Sequence, residues 1–233
     1  MSFEYLKRNV ERIRSDIADA ERLAGRESGS VMMLAAVKYA ENEEIDYLCR
    51  ELGVTDIGEN RVQQLLAHYE SLDNRDELNW HFIGTLQTNK VKYIIDKVCM
   101  IHSLDSEKLA AEIDRQAKKR GIVMDVLVEV NSGEEESKSG LLPDRVEDFC
   151  LALGKYENIK LRGFMTMAPK CEEKADYLKF FQQTYAEVLD IWTKKLHNIG
   201  EPIISMGMSE SYREAIVCGS NVVRIGRSLF IKN

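Results

Sequence analysis

The 233-residue chain contains three prolines and has no apolar run long enough to cross a bilayer. Its five cysteines are widely spaced with no C-x-x-C pair, and its four histidines show no H-E-x-x-H spacing. These absences argue against a membrane span, a disulfide framework and a metal site, so we expect reduced, mostly buried thiols. A net charge of −7 offers no basic face for nucleic acid. The N-terminus lacks the features of a signal peptide, which predicts a cytoplasmic location.

Short runs rich in Val, Ile, Met and Phe alternate eight times with longer charged segments of helical periodicity. The predicted strands are 31–38, 54–57, 80–84, 98–103, 125–131, 161–167, 202–206 and 221–225. Predicted helices follow an N-terminal helix at 41–52, 60–71, 88–97, 106–119, 142–156, 172–197 and 210–218. This order indicates an α/β protein, a single (β/α)8 TIM barrel with an extra N-terminal helix, formed by residues 1–233 as one domain. An open doubly wound sheet is the alternative, but no G-x-G-x-x-G follows the first strand.

Lys38 ends the first apolar run, VMMLAAVK. Desolvating an ammonium group is costly, so a strand that ends on a lysine indicates either a chemical role or a side chain that extends to the rim. Chemistry in barrels lies at the carboxyl ends of the strands, and phosphate sites often follow strands seven and eight. There Gly207 and Gly226 indicate either a phosphate site or ordinary turns with Ser209 and Ser211 as caps, and Arg224 and Arg227 favour phosphate. A lysine facing a phosphate site predicts an imine with either a phosphosugar, as in a class I aldolase, or pyridoxal 5′-phosphate.

Two further polar positions allow two interpretations each, and a third fits a helix cap. Asn60 follows the second strand and could bind a ligand or cap the next helix, with spacing slightly favouring the cap. His81 lies inside an apolar strand, where a satisfied core histidine is more common than a catalytic base. Ser211-x-x-Glu214 fits a capping box at the start of a helix.

Six motifs together closely resemble the pyridoxal phosphate homeostasis proteins, the YggS or PROSC family. They are IGENRVQ, WHFIGTLQTNK, HSLDS, VEVNSGEEESKSG, LRGFMTMAP and SMGMSESYREAIVCGSNVVRIG, and they span nearly the whole chain in order. The resemblance implies a barrel similar to the alanine racemase N-terminal domain, with pyridoxal 5′-phosphate linked through a Schiff base to Lys38. It places Asn60 near the cofactor ring and Arg224 at the pyridine nitrogen. Ser205 and the amides around Met206 and Gly226 are implied to hold the phosphate.

Two positions depart from the family pattern. Arg227 stands where the family usually has a threonine, so Ser228 or the Arg227 guanidinium is expected to replace that hydroxyl contact with the phosphate. Val37 precedes the lysine, where the family commonly has a small hydroxyl residue, and we expect this to change packing more than chemistry.

The resemblance implies a non-catalytic carrier that buffers pyridoxal 5′-phosphate and passes it to apo-enzymes. The alternative is a weakly active pyridoxal-dependent enzyme such as an amino-acid racemase. Related racemases take a second base, a tyrosine, from another domain, and this chain ends at Asn233; we therefore expect a carrier and a monomer. A class I aldolase would need a later lysine, and the nearest, Lys170, is predicted to lie solvated in a loop.

Overall fold

The computed structural model describes residues 3–135, 138–196 and 200–232. Within these ranges the strands form a closed parallel barrel in sequential order: β1 Met32–Ala36, β2 Asp56–Glu59, β3 Asn79–Phe82, β4 Met100–Leu104, β5 Met124–Val130, β6 Ile159–Thr166, β7 Ile203–Met208 and β8 Val222–Ile225. The helices are α1 Glu4–Leu23, α2 Asn42–Arg50, α3 Val62–Ser71, α4 Val91–Ile94, α5 Glu107–Arg120, α6 Pro143–Leu153, α7 Lys174–Asp190, α8 Tyr212–Val217 and α9 Arg227–Phe230.

The predicted α/β barrel and all eight predicted strands are confirmed, with ends that shift by a few residues. The expected mostly buried thiols are also found: Cys49, Cys150 and Cys218 are buried, and Cys99 is exposed. The last residue of the predicted helix 172–197 lies outside the described residues. None of the described helices is both long and apolar enough to span a bilayer.

The predicted capping box at Ser211 is wrong. α8 begins at Tyr212, and the Ser211 side chain makes no capping hydrogen bond to that helix. Its hydroxyl accepts instead from the backbone N–H of Met208 at 3.3 Å, which fixes the turn after β7. Glu214 pairs with Lys174, 3.6 Å away on α7. The serine therefore stabilises a loop at the carboxyl end of the barrel rather than a helix start.

Helix α1 packs against the last part of the chain. Its buried residues recur at helical spacing, as Leu6, Val10, Ile13 and Ile17. The polar edge of the helix reaches the same region, because Asn9 Nδ2 donates to the carbonyl of Leu229 at 2.9 Å. This helix therefore supports α8 and α9, which flank the carboxyl ends of β7 and β8.

Inside the barrel, apolar side chains form two small clusters that are separate from the main core between barrel and helices. One contains Leu34, Ile83 and Val222, and the other contains Met100, Leu127 and Met165. Buried polar residues share the interior with these clusters, including His81, His102, Ser205 and Arg224. A barrel interior normally fills with branched apolar side chains, so this polar content marks a departure that needs a chemical reason.

Candidate functional site

Lys38 lies two residues beyond the end of β1, at the carboxyl-terminal face of the barrel, and it is half-buried. Its backbone carbonyl accepts a hydrogen bond from Gln64 Nε2 on α3, and its Nζ lies 5.0 Å from the centroid of the Tyr39 ring. The adjacent strand brings Gly226 close to β1, because a Cβ at Gly226 would lie 3.3 Å from the Ala36 carbonyl oxygen. The end of β1, two residues before the lysine, therefore packs against the loop that follows β8.

Asn60 directly follows β2, and its side chain does not cap α3. The helix begins at Val62, its N-cap residue is Arg61, and no side-chain capping bond is present, so the cap interpretation is wrong. The Asn60 N–H donates to the Glu59 carboxylate at 3.2 Å. Gly84 packs tightly against this turn, since a Cβ there would lie only 2.1 Å from the Asn60 carbonyl oxygen. Glycine at the end of the β3 motif thus allows the Asn60 turn to take its position.

Arg224 is buried in the barrel interior at 5% exposure and makes three short hydrogen bonds. Nη1 donates to the carbonyl and the hydroxyl of Ser205, both at 2.7 Å, and Nη2 donates to the Thr166 carbonyl at 2.8 Å. Burial lowers the pKa of Arg224 to about 10, against the attraction of the Glu129 carboxylate. The guanidinium remains charged at neutral pH and its position is fixed on β7 and β6.

The loops after β7 and β8 contact each other through two serines. The Ser228 N–H donates to the Ser209 hydroxyl at 3.2 Å. The Ser228 hydroxyl is itself buried, and it has no hydrogen-bond partner among the described residues. Gly207 allows the turn, with a φ of +92° and no room for a Cβ beside Ala215. An unpaired buried hydroxyl beside turn amides suits an anionic ligand that would accept from it.

Met206 and Arg227 are less available for an anion than the sequence predicts. The Met206 side chain is fully buried, and its N–H points at the Ser220 hydroxyl, 3.4 Å away. The Arg227 side chain is 78% exposed and forms an ion pair with Glu210 on the surface. Of the two expected substitutes for the family threonine, the structure therefore favours the Ser228 hydroxyl over the Arg227 guanidinium.

Glu129 is a buried acid of this region that the sequence does not single out. It is 2% exposed, and the Ser139 hydroxyl donates to its Oε1 at 2.7 Å. Its Oε2 is buried without a partner among the described residues. Burial raises the pKa of the Glu129 carboxyl, and repulsion from Asp105 adds to this. In the strand motif VEVN, Glu129 lies between two valines, so its side chain points to the opposite face of the strand from theirs. The sequence could have identified it only if the face that points into the barrel had been known.

His81 and His102 form a second unpredicted feature, a polar chain through the barrel interior. His81 Nε2 lies 3.3 Å from Asp56 Oδ1, and His81 Nδ1 lies 3.0 Å from His102 Nε2. His102 Nδ1 lies 3.3 Å from the Ser205 hydroxyl, which in turn accepts from Arg224. The interpretation of His81 as a satisfied buried histidine agrees with this geometry. His102 was not recognised because a single histidine in an apolar strand carries little signal.

Comparison with known proteins identifies close relatives over nearly the whole chain. The family model described as "Alanine racemase, N-terminal domain" matches residues 6–233. A curated protein from Aquifex aeolicus, named pyridoxal phosphate homeostasis protein, is 42% identical over 229 residues, which is 97% of this chain and 96% of the relative.

Two solved structures are similar in fold. The structure of an unknown protein from Bifidobacterium adolescentis matches with a TM-score of 0.88 and 35% identity, covering 97% of this chain and 95% of that one. PipY of Synechococcus elongatus, solved with pyridoxal phosphate (PLP) bound, matches with a TM-score of 0.80 and 27% identity, covering 92% of this chain and all of that one.

Proposed function

The chain belongs to the pyridoxal phosphate homeostasis family, and from this membership we propose that it binds pyridoxal 5′-phosphate reversibly and buffers it in the cell. The structural observation that supports the proposal is the close packing of Gly226, in the loop after β8, against Ala36, two residues before Lys38, at the end of the barrel where the Ser228 hydroxyl is buried and has no partner among the described residues. Residues 1–233 would act as one cofactor-binding domain.

The donor groups present fit the parts of the cofactor. Lys38 would supply the amine for the aldehyde, and Asn60 would lie near the ring, since its side chain is not used as a helix cap. The hydroxyls of Ser205 and Ser228 and the turn amides near Gly226 would hold the phosphate. Arg224 would face the pyridine nitrogen. When bound, the cofactor supplies an aldehyde that reacts reversibly with amines and a ring that can accept electrons.

Arg224 provides the reason to propose a carrier rather than an efficient enzyme. The guanidinium is held by three hydrogen bonds and remains charged despite burial. A permanent cation disfavours a proton on the ring nitrogen that it faces, and an unprotonated ring stabilises a carbanion poorly. The site would therefore retain the cofactor while restraining its reactivity toward amino acids.

Weak racemase-type activity is the second candidate, favoured by the match to the alanine racemase N-terminal domain model. The class I aldolase receives no support, because Lys170 is exposed in the loop after β6. We further propose that the protein works in the cytoplasm as a monomer and passes its cofactor to apo-enzymes. The homeostasis name of the curated relatives supports the carrier, since it refers to the cofactor rather than to a reaction.

The test is the visible absorption spectrum of the purified protein before and after borohydride reduction, followed by peptide mapping. We expect a yellow protein whose cofactor is trapped on Lys38 by reduction. Lys38→Ala should remove the trapped adduct while the protein stays folded, and Lys170→Ala should behave as wild type. A Lys38→Ala protein that traps an equal amount of cofactor would contradict the assignment.

A further inference from the structure

The polar chain inside the barrel has two ends of opposite charge. Arg224 stands at one end and can only donate, and Asp56 stands at the other and can only accept while ionised. Between them lie the Ser205 hydroxyl and the rings of His102 and His81, at successive separations of 2.7, 3.3, 3.0 and 3.3 Å from Arg224 to Asp56. Each of the three middle groups is at most 3% exposed.

These end groups determine the direction of every hydrogen bond in the chain. Because Arg224 donates to the Ser205 oxygen, the Ser205 proton is free to point at His102 Nδ1. A neutral imidazole has one donor and one acceptor, so His102 then donates from Nε2 to His81 Nδ1. His81 in turn donates from Nε2 to Asp56. Both rings are therefore neutral Nε2–H tautomers when no extra proton is present.

The charged and titratable neighbours agree with this arrangement. The hydrogen bond with His81 holds the pKa of Asp56 below its ordinary value, so the acceptor end is anionic. Burial, followed by repulsion from the Arg224 charge, lowers the pKa of His102 well below its usual range, so this ring stays neutral. The Cys99 Sγ lies 3.5 Å from His81 Nε2 and donates to the Trp80 carbonyl at 3.2 Å, so this thiol is protonated and adds no charge.

The outer end of the chain reaches solvent through a separate opening. A cavity of about 640 Å³ lies at the amino-terminal face of the barrel, and Asp56 lines it together with Arg14, Thr55 and Asn221. The Asp56 side chain is 24% exposed there. Protons can therefore exchange with water at Asp56, on the face opposite to Lys38.

One added proton reverses the whole chain. The Ser205 proton passes to His102 Nδ1, the His102 Nε2 proton passes to His81 Nδ1, and Ser205 takes a replacement proton from the phosphate of a ligand that arrives as its monoanion, because Ser205 itself is closed to solvent. His81 then carries protons on both nitrogens, and its charge is balanced by Asp56. Ser205 now accepts from both His102 and Arg224, so its new O–H needs a different acceptor. A phosphate oxygen bound at the loops after β7 and β8 would provide one.

We propose that Asp56, His81, His102 and Ser205 form a proton relay along the barrel axis, which couples binding of the cofactor phosphate to uptake of one proton by His81. This inference rests on the proposed function, in which Ser205 contacts the phosphate. His81 and His102 are positioning residues here, because they act on the ligand only through Ser205. The relay makes retention of the cofactor stronger as pH falls.

The first test reads the chain without cofactor. Histidine ¹⁵N NMR on protein stripped of cofactor should show Nε2–H tautomers for both His81 and His102. On adding pyridoxal phosphate below pH 7, His81 should gain its second proton and His102 should switch to Nδ1–H. A His102 ring already protonated at Nδ1 in the cofactor-free protein, or rings that do not change on binding, would overturn the relay.

The second test compares Asp56→Asn with Asp125→Asn. Asp125 also lies at the amino-terminal end of the barrel, 28% exposed and paired with Arg162, but it is not part of the chain. Wild type should bind pyridoxal phosphate more tightly as pH falls, and Asp56→Asn should not. The Kd of Asp56→Asn divided by that of wild type should therefore increase about tenfold for each pH unit below 7. Asp125→Asn should keep the wild-type pH profile. Equal profiles for all three proteins would refute the relay.

The two tests separate this inference from the function on which it rests. A wild-type protein that binds no pyridoxal phosphate would remove the proposed function, while the tautomers of the cofactor-free protein would still decide whether the chain is polarised as described. Nε2–H tautomers would then support the chain, and the opposite tautomers would reject it together with its coupling.

Discussion

Replacing Gly84 by alanine should deform the turn that carries Asn60. A Cβ at this position would lie 2.1 Å from the Asn60 carbonyl oxygen, 2.7 Å from its carbonyl carbon and 2.8 Å from its Cα. All three are backbone atoms at the end of β2, so no side-chain rotation relieves the overlap. The backbone must move by roughly 1 Å to restore an ordinary contact. Because the interior is fully packed, this movement strains the surrounding structure.

The strain has two measurable effects. Overpacking of this kind costs about 1–3 kcal/mol of unfolding free energy. For a chain of this size each kcal/mol lowers Tm by about 2–4 °C, so Tm should fall by roughly 2–12 °C. Because Asn60 is proposed to lie near the cofactor ring, the Kd for pyridoxal phosphate should also rise about tenfold, which corresponds to about 1.4 kcal/mol.

The assay is thermal and urea unfolding, which give Tm and the free energy of unfolding, together with an absorbance titration of pyridoxal phosphate. Gly133→Ala is the matched control, because the nearest atoms to a Cβ there are 3.7 Å away and the residue has no positive φ. The control should keep both its stability and its Kd for pyridoxal phosphate near those of wild type. If Gly84→Ala lost no more stability and affinity than Gly133→Ala, the close approach to Asn60 would not constrain the site.

Two further predictions concern the loop after β8 and helix α1. Ser228→Ala should weaken pyridoxal phosphate binding about tenfold with little loss of stability, since its buried hydroxyl has no partner to lose among the described residues. The control is Arg227→Ala, which removes only an exposed ion pair with Glu210. Equal affinities of the two variants in a titration would contradict the role of Ser228. Burial alone would raise the pKa of Glu44, but the hydrogen bond from Tyr5 and the charge of Lys232 outweigh it and lower the pKa. This stabilisation is present above the ordinary carboxyl pKa and is lost as pH falls through the lowered value, so Tyr5→Phe should lose about 1 kcal/mol at pH 7 and less at a pH of about 4, which lies below the ordinary pKa of a glutamate. Urea unfolding at both pH values checks this, and a loss that does not depend on pH would contradict it.

The order of elements could be predicted from sequence because each strand is a short apolar run between longer amphipathic segments. Lys38 and Arg224 could be selected as site residues because a charged side chain at the end of such a run is unusual. The predicted start of the helix after β2, residue 60, lies two residues before the observed start at Val62. The strand continues through Gly58 and Glu59, and Glu59 is buried against His68 at 2.7 Å, so α3 starts after Asn60.

The polar chain could not be predicted, and the reason is geometric. His81, His102 and Ser205 lie on three different strands, and each directly follows an apolar residue in a short apolar run. Whether an alternate strand position faces the barrel interior or the helices depends on the register between strands and on closure of the sheet. The register shifts within the β4–β5 and β7–β8 pairs, which a single sequence does not reveal.

Barrel closure also has a consequence for how the protein is made. β1 pairs with β8, with Met32 opposite Val222 and Leu34 opposite Arg224. These partners are nearly the whole chain apart, so the seam has a very high contact order and forms late. During synthesis β1 leaves the ribosome long before β8 exists, and its edge stays unpaired meanwhile. A nascent chain therefore gains the ability to hold its ligand only after the strand carrying Arg224 has been synthesised and closes the ring.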